Sequence, residues 1–437
     1  MSIPLIVFII CFILIFLLRL PLALGMIMTA TYYFITAQLL GANPIINMVL
    51  VPQQFLTKLE DQYVMIAIPL FIFMAHIMNT GKVTEHIFSF ANAVVGRRRG
   101  GLGHVNVVAS IIFSGMTGSA VADASGLGII EIEAMKKHGY NSGFACAITA
   151  ASATIGPIFP PSIPMILYAT LSGASIGRLF VAGMFPGILI GIGLMIYISI
   201  SAVRKNFPYN VAVAQTFRDV IVIAAKAAPA LLSVVILLGG IYSGVVTPTE
   251  AGALAAAYAL LVSVLVYRAL GIREFLDVIR KTVLSTGTVS IMAGSAFAFG
   301  FIVAWEGIPT MIAENLLVLT TNPTILLLII NIAFLIMGMF INTTTLIVVF
   351  IPMILPLVKL LGIDLIQFGV IIVLNMMIGL STPPYGMLLF IVSGISDTPL
   401  KDVMREILPM LVVLIIILFL VTYIPALSLF LVHIVFG

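Results

Sequence analysis

Charge is what this chain has least of. Of 437 residues only 8% are Asp, Glu, Lys or Arg, while 62% are hydrophobic. Soluble domains carry about 25% charged residues, and none of this length could bury so much apolar surface. With a mean hydropathy of +1.27, the outer faces need a bilayer as solvent. Cysteine is nearly absent. Cys11 and Cys146 both fall in apolar stretches and read as small buried hydrophobes, with neither a disulfide framework nor a metal pair between them. There is no H-E-x-x-H zinc motif and no Walker A loop, so the chain has no nucleotide site with which to power itself. The run Gly173-Ala174-Ser175-Ile176-Gly177 fits G-x-S-x-G but lacks the strand–turn–helix context of a nucleophile elbow. No catalytic pair and no cofactor motif is left, which points away from an enzyme. Nor does any segment alternate apolar and polar residues as a transmembrane β-barrel does.

What is present is a series of apolar runs, at 3–18, 20–40, 63–78, 179–201, 227–246, 251–267, 283–304 and 408–436. A bilayer-spanning helix needs roughly 20 residues, so these read as spans of an all-α polytopic membrane protein. The first run has no basic n-region and no small-residue cleavage site after it, and is kept as a span and not a signal peptide. The net charge of +4 is no nucleic-acid footprint, because the basic residues lie in the gaps. Arg97, Arg98, Arg99, Lys136 and Lys137 form one cluster, and Arg204, Lys205, Arg218 and Lys226 a second. Arg268, Arg273, Arg280 and Lys281 form a third, and Lys401 with Arg405 a fourth. All are expected on the cytoplasmic side.

Residues 100–135 have positive charge at both ends and so must enter and return. Their middle is too rich in Gly and Ser for one straight helix, which predicts a re-entrant hairpin with its tip within 114–119. Residues 324–360 have the same form around Asn342-Thr343-Thr344-Thr345, and by the count of spans this hairpin opens to the other side. The two regions align at a constant offset. Gly115 pairs with Gly338 (338 − 115 = 223), and Lys136 with Lys359, Gly139 with Gly362, Gly156 with Gly379 and Pro160-Pro161 with Pro383-Pro384 share that spacing. The expected architecture is an inverted-topology repeat, 1–210 and 211–437, each half with three spans, a hairpin, a broken span and a closing span. Such repeats are a transporter signature.

The polar breaks are the candidate site. In the first half they hold Ser114, Gly115, Thr117, Gly118, Ser119 and Asp123, then Gly156, Pro157, Pro160 and Ser162. In the second they hold Gly338, Asn342, Thr343, Thr344 and Thr345, then Ser381, Thr382 and Pro383. Unpaired backbone costs several kcal/mol per group in hydrocarbon, so broken helices persist only inside protein or beside water. Proline pairs remove N–H donors and force the break. Carbonyls freed there can coordinate a hard cation such as sodium, and half-helix N-termini can hold a carboxylate. Ser119 and Asn342 occupy equivalent places (119 + 223 = 342) and either ligate such an ion or cap the following helix. Asp123 is an acid at membrane depth, where acids are usually functional. It lies just past the hairpin tip, and either contacts the solute or ion or serves as a helix-capping or hydrogen-bonding group near water. Glu131 and Glu133 are expected at a solvated hairpin foot, His104 as an interfacial or packing histidine, Trp305 and Glu306 at a span end, and Glu250 as a helix cap.

At FSGMTGSAVADASGLG (113–128), GPIFPPSIPMILYA (156–169), TPTEAGALAAAYAL (247–260) and GMFINTTTLIVVFIPMILP (338–356) the sequence resembles the large membrane subunit of the tripartite ATP-independent periplasmic (TRAP) transporters. The resemblance covers essentially the whole chain. It implies an elevator-type, sodium-coupled importer of the bacterial inner membrane, whose hairpins and broken spans (about 100–175 and 324–395) move as a transport unit against a scaffold. It implies a separate small four-helix membrane subunit and a periplasmic binding protein that delivers an organic acid, such as a C4-dicarboxylate, a sialic acid or another sugar acid. The alternatives are a stand-alone sodium–carboxylate symporter of elevator type, a channel and an intramembrane enzyme.

Overall fold

The structure, a computed structural model, describes residues 2–18, 20–41, 47–60, 63–79, 81–209 and 216–437. The junction expected between halves, at 210/211, lies outside them. In chain order the α-helices are α1 (Ile3–Leu17), α2 (Leu22–Leu39), α3 (Leu50–Glu60), α4 (Ala67–Met78), α5 (Gly81–Val95), α6 (Gly101–Thr117), α7 (Ala120–Ser125) and α8 (Leu127–Lys137). Next come α9 (Ser142–Ala153), α10 (Ile163–Ser172), α11 (Ile176–Arg204), α12 (Phe217–Tyr242), α13 (Pro248–Leu261), α14 (Ile272–Trp305) and α15 (Ile308–Leu319). The chain closes with α16 (Pro323–Phe340), α17 (Thr343–Leu360), α18 (Leu365–Leu380), α19 (Met387–Ser396), α20 (Leu400–Tyr423) and α21 (Ala426–Phe436). Among the described residues there is no strand, only a single bridge between Arg99 and Tyr209.

Among the described residues, eight helices are long and apolar enough to cross a membrane: α2, α11, α12, α13 with its π-helical extension Val262–Val266, α14, α16, α17 and α20. The chain is therefore a multi-pass membrane protein. α1 forms where the first span was expected but is shorter than this group. The last run, read as one span from 408 to 436, is two helices. Pro425 cannot donate to the ladder, and the chain leaves helical geometry at Ile424 before α21 begins. Three further helices, α3, α5 and α15, carry no long apolar run and were not legible as elements. α12 and α14 begin about three turns before their apolar stretches, where charged residues still suit a helix. α12 starts with a capping box between Thr216 and Asp219. α13 starts with another: Thr247 N–H donates to Glu250 at 2.8 Å, and Glu250 N–H donates to Thr247 Oγ1 at 3.3 Å, the cap expected for Glu250.

Depth in the bundle differs sharply between elements. Every residue of α18 from Ile366 to Leu380 is buried, as is every residue of α9 from Gly143 to Ala153. By contrast only 22% of the apolar window of α12 is buried, and it exposes Val222, Leu232 and Val235. An exposed Val or Leu stripe suits lipid as solvent, while the most enclosed helices are the ones that break. That is the arrangement hydrocarbon demands, because a freed backbone group must find its partner within protein. Elements from the two ends of the chain interlock: α9 packs on α20, α10 on α17, α2 on α14 and α4 on α13.

Candidate functional site

α6 stops because Gly118 takes the left-handed conformation (φ 59°), its N–H donating to Ser114 O at 3.2 Å. Ser119 is extended, and its hydroxyl accepts from Ala122 N–H at 3.3 Å to start α7. The turn is thus Gly118-Ser119, at the end of the window 114–119, and the second arm breaks again at Gly126 between α7 and α8. Glycine is needed at 118 for a second reason. A Cβ there would lie 2.2 Å from the carbonyl oxygen of Pro161. A Cβ on Gly156 would reach the Ser119 carbonyl carbon at 3.3 Å. The first tip therefore sits backbone-to-backbone on the break between α9 and α10. Ser162 closes that break, donating to Pro157 O and accepting from Met165 N–H at 3.2 Å as the cap of α10. Among the described residues, the carbonyls of Thr154, Gly156 and Pro161 accept no backbone hydrogen bond, and that of Pro161 faces the tip.

The second tip is built differently. α16 ends at Phe340, Ile341 and Asn342 are extended, and Asn342 Oδ1 accepts from Thr345 N–H at 2.8 Å. Here the closest backbone approach lies one turn back: a Cβ on Gly379 would be 2.8 Å from Gly338 Cα. Gly115, the counterpart of Gly338, meets Val234 instead. In the break between α18 and α19, Ser381 and Thr382 donate to Ile378 O at 3.0 and 2.6 Å. The Pro160-Pro161 and Pro383-Pro384 peptide bonds are both cis. Ser114 is turned onto its own helix, donating to Ser110 O at 2.5 Å, and Thr345 reaches Met292 Sδ at 3.7 Å.

A cavity of about 390 Å³ joins these pieces. Thr117, Gly118 and Ser119 line it from the first tip, Pro157 from the first break, and Asn342, Thr343 and Thr344 from the second tip. Leu380 and Met387 bring in the second break. Asp123, Ser114, Gly115, Gly156, Pro160, Ser162, Gly338, Thr345, Ser381, Thr382 and Pro383 do not line it; most of these shape the breaks behind it. The opposite wall comes from α4 and α14 and was missed: His76, Asn79 and Ser285, with His76 Nε2 3.4 Å from Ser285 Oγ. A histidine inside an apolar span was the available signal. No Lys or Arg is among the lining residues, so an anion here would rely on the positive N-terminal ends of α10 and α17 and on hydroxyl and amide donors. Carbonyl and hydroxyl oxygens supply what a hard cation prefers.

Asp123, in the first turn of α7, is buried and turned away from the cavity. Glu131 corrects an expectation. It is not at a solvated foot but 1% exposed, accepting from Asn106 Nδ2 at 2.7 Å. The adjoining Lys136 and Lys137 suggested water, yet α8 turns Glu131 inward while Glu133 stays out and pairs with Lys137 at 3.6 Å. His104 is buried beside Ser199, a packing role. Trp305 is exposed at the end of α14, and Glu306 accepts from Tyr33 OH at 2.5 Å. Cys146 is buried as expected, whereas Cys11 is only partly so. Ser175 merely caps α11.

The family described as "Tripartite ATP-independent periplasmic transporter, DctM component" matches residues 9–427. The sialic acid TRAP transporter large permease protein SiaM of Vibrio cholerae is 40% identical over 417 residues, 95% of this chain and 96% of its own. The C4-dicarboxylate TRAP transporter large permease protein DctM of Pseudomonas aeruginosa is 40% identical, covering 86% of this chain and 87% of its own. The 2,3-diketo-L-gulonate TRAP transporter large permease protein YiaN of Escherichia coli is 35% identical, covering 85% and 87%. The chain belongs to the DctM family of TRAP transporter permeases.

Proposed function

We propose that this DctM-family permease imports an organic acid by sodium-coupled secondary active transport across a bacterial inner membrane. The observation that carries the proposal is the shared cavity: both hairpin tips and both helix breaks open into it opposite a wall from α4 and α14. Half-helix N-termini facing a common space suit a carboxylate, and unpaired carbonyls beside the first tip suit sodium. In this reading the hairpins are re-entrant, the two halves are inverted, and the segments near 100–175 and 324–395 travel together against the remaining helices. Ser119 and Asn342 act as caps in the structure, and a hydroxyl or amide oxygen that accepts one N–H keeps a lone pair for an ion.

The relatives carry sialic acid, C4-dicarboxylate and diketogulonate in their names, which supports an acid of that size class as the substrate. Their designation as large permease proteins fits a system completed by a small membrane subunit on a separate chain and a periplasmic binding protein that delivers the acid. An inward-negative potential contributes about 2.3 kcal/mol per net charge for each ~100 mV, so excess sodium over acid charge makes uptake electrogenic. Uptake into proteoliposomes, with the small subunit and cognate binding protein present, tests this across a panel of acids. The reading expects one acid to accumulate only under an inward sodium gradient. Full-rate uptake with potassium replacing sodium on both sides would contradict it, and loss of any need for the binding protein would favour a stand-alone symporter.

A further inference from the structure

The wall that faces the hairpin tips is apolar except at three side chains. α4 and its C-terminal cap bring Ile72, Ala75, His76 and Asn79 to the cavity, and α14 brings Ser285 and Val289. Asn79 is already engaged. Its Oδ1 packs on Gly126, where a Cβ would come within 2.2 Å of it. His76 and Ser285 remain. They stand 209 residues apart in the chain, and packing of α4 on α14 brings Nε2 and Oγ to 3.4 Å.

This pair is not built like the polar links that hold the bundle together. Asn106 donates to Thr149 at 2.7 Å between α6 and α9, and Asn331 to Thr422 at 3.0 Å between α16 and α20. No member of those links is more than 2% exposed. The His76–Ser285 approach lies beyond the roughly 3.2 Å of a well-formed N–H···O bond, and both residues are half-buried and open to the cavity. A fastening between two helices would be short and closed. This one is loose and leaves both groups with capacity for a further partner.

The chemistry of that partner follows from the groups present. Imidazole and hydroxyl together offer donors and acceptors, which is what an alcohol hydroxyl requires. A second carboxylate would fit poorly here. A charge taken out of water needs a counter-charge, and no Lys or Arg lines the cavity. One turn before Ser285 on α14, Lys281 is paired with Asp277 at 2.7 Å. We propose that His76 and Ser285 are a specificity-determining pair that hydrogen-bonds a hydroxyl of the transported acid, and that the substrate is a polyhydroxylated monocarboxylate. The inference rests on the cavity being the solute site. There the single carboxylate lies at the half-helix N-termini, and the hydroxylated body turns to the α4–α14 wall.

Equilibrium binding to the full-length chain in detergent with sodium present tests this. The readout is the rise of the thermal midpoint with ligand concentration. The probes are matched acids: gluconate against hexanoate, and threonate against butyrate, with succinate as the dicarboxylate comparator. Each hydroxylated acid should bind more tightly than its deoxy partner and than succinate. The ratio of the paired affinities should fall about tenfold, the worth of one hydrogen bond, in His76→Leu and in Ser285→Ala. His76→Gln, which keeps a donor and an acceptor, should hold the ratio closer to wild type. Ser285→Ala removes a single oxygen and keeps the test decisive if His76→Leu does not fold. A ratio unchanged in both variants would overturn the proposal and leave the cavity as the solute site. Tightest binding of succinate would overturn it too. No stabilisation by any of the acids would remove the cavity as the solute site, and this pair with it. No gradient is involved, so a failure of sodium coupling would leave the hydroxyl preference standing.

Discussion

The two helix–turn–helix segments share a plan and differ in how they turn and in what they enclose. Each is an inbound helix, a capped turn and an outbound helix, with Ser119 and Asn342 capping at equivalent positions. The first is closed by glycine at its turn, breaks a second time at Gly126, and encloses Asp123 and Glu131. The second turns at Ile341-Asn342, and its outbound helix runs unbroken from Thr343 to Leu360 around Leu346 and Ile354. The two segments share a helix–capped turn–helix plan at an offset of 223 residues and differ in the side chains they carry.

The largest effect should separate the tips at their turns. Gly118→Ala places a Cβ against Pro161 O in a left-handed residue, a conformation costing about 1–2 kcal/mol before any clash. Uptake into proteoliposomes should be lost and the thermal midpoint lowered. Ile341→Ala, at the matching place in the second tip, should keep uptake within a few-fold of wild type. Equal loss in both would mean that the turns share one mechanism.

Next comes the second hairpin's own close approach. Gly379→Ala drives a Cβ into the Gly338 backbone and should cost about 1–3 kcal/mol, in line with overpacked cores, seen as a lower unfolding midpoint. If Gly379→Ala leaves stability untouched, the α16–α18 contact is slack. Smaller still are the caps. Ser119→Ala and Asn342→Ala should each cost about 1 kcal/mol and also raise the sodium concentration needed for half-maximal uptake. Unchanged sodium dependence in both variants, at normal expression, would leave capping as their whole role. Smallest in function is Thr247→Ala, which removes a cap of similar strength outside the cavity. It should lower stability by about 1 kcal/mol and leave the sodium titration where it was.

Much of this was legible because broken helices leave marks. Pro160-Pro161 and Pro383-Pro384 announce the breaks, and Ser119 and Asn342 stand where caps belong. Other features depend on tertiary placement, which local pattern does not encode. His76, Asn79 and Ser285 come from helices remote in sequence and meet the tips only after packing. Glu131 sits among charges that suggest water, yet its neighbours are Asn106 and Thr149 from other helices. α3, α5 and α15 went unread because they lack an apolar run of spanning length, and the last span hid its division at Pro425.

The central claim is that the hairpins move against α4 and α14 across the shared cavity. Val121 on α7 and Val289 on α14 both line it. With Cys11 and Cys146 replaced by serine, cysteines at 121 and 289 can be crosslinked in the assembled transporter with and without sodium and loaded binding protein. The account predicts that crosslinking yield differs between these conditions and that the crosslinked transporter stops uptake until it is reduced. Equal yield in every condition, with uptake unaffected by the crosslink, would contradict it.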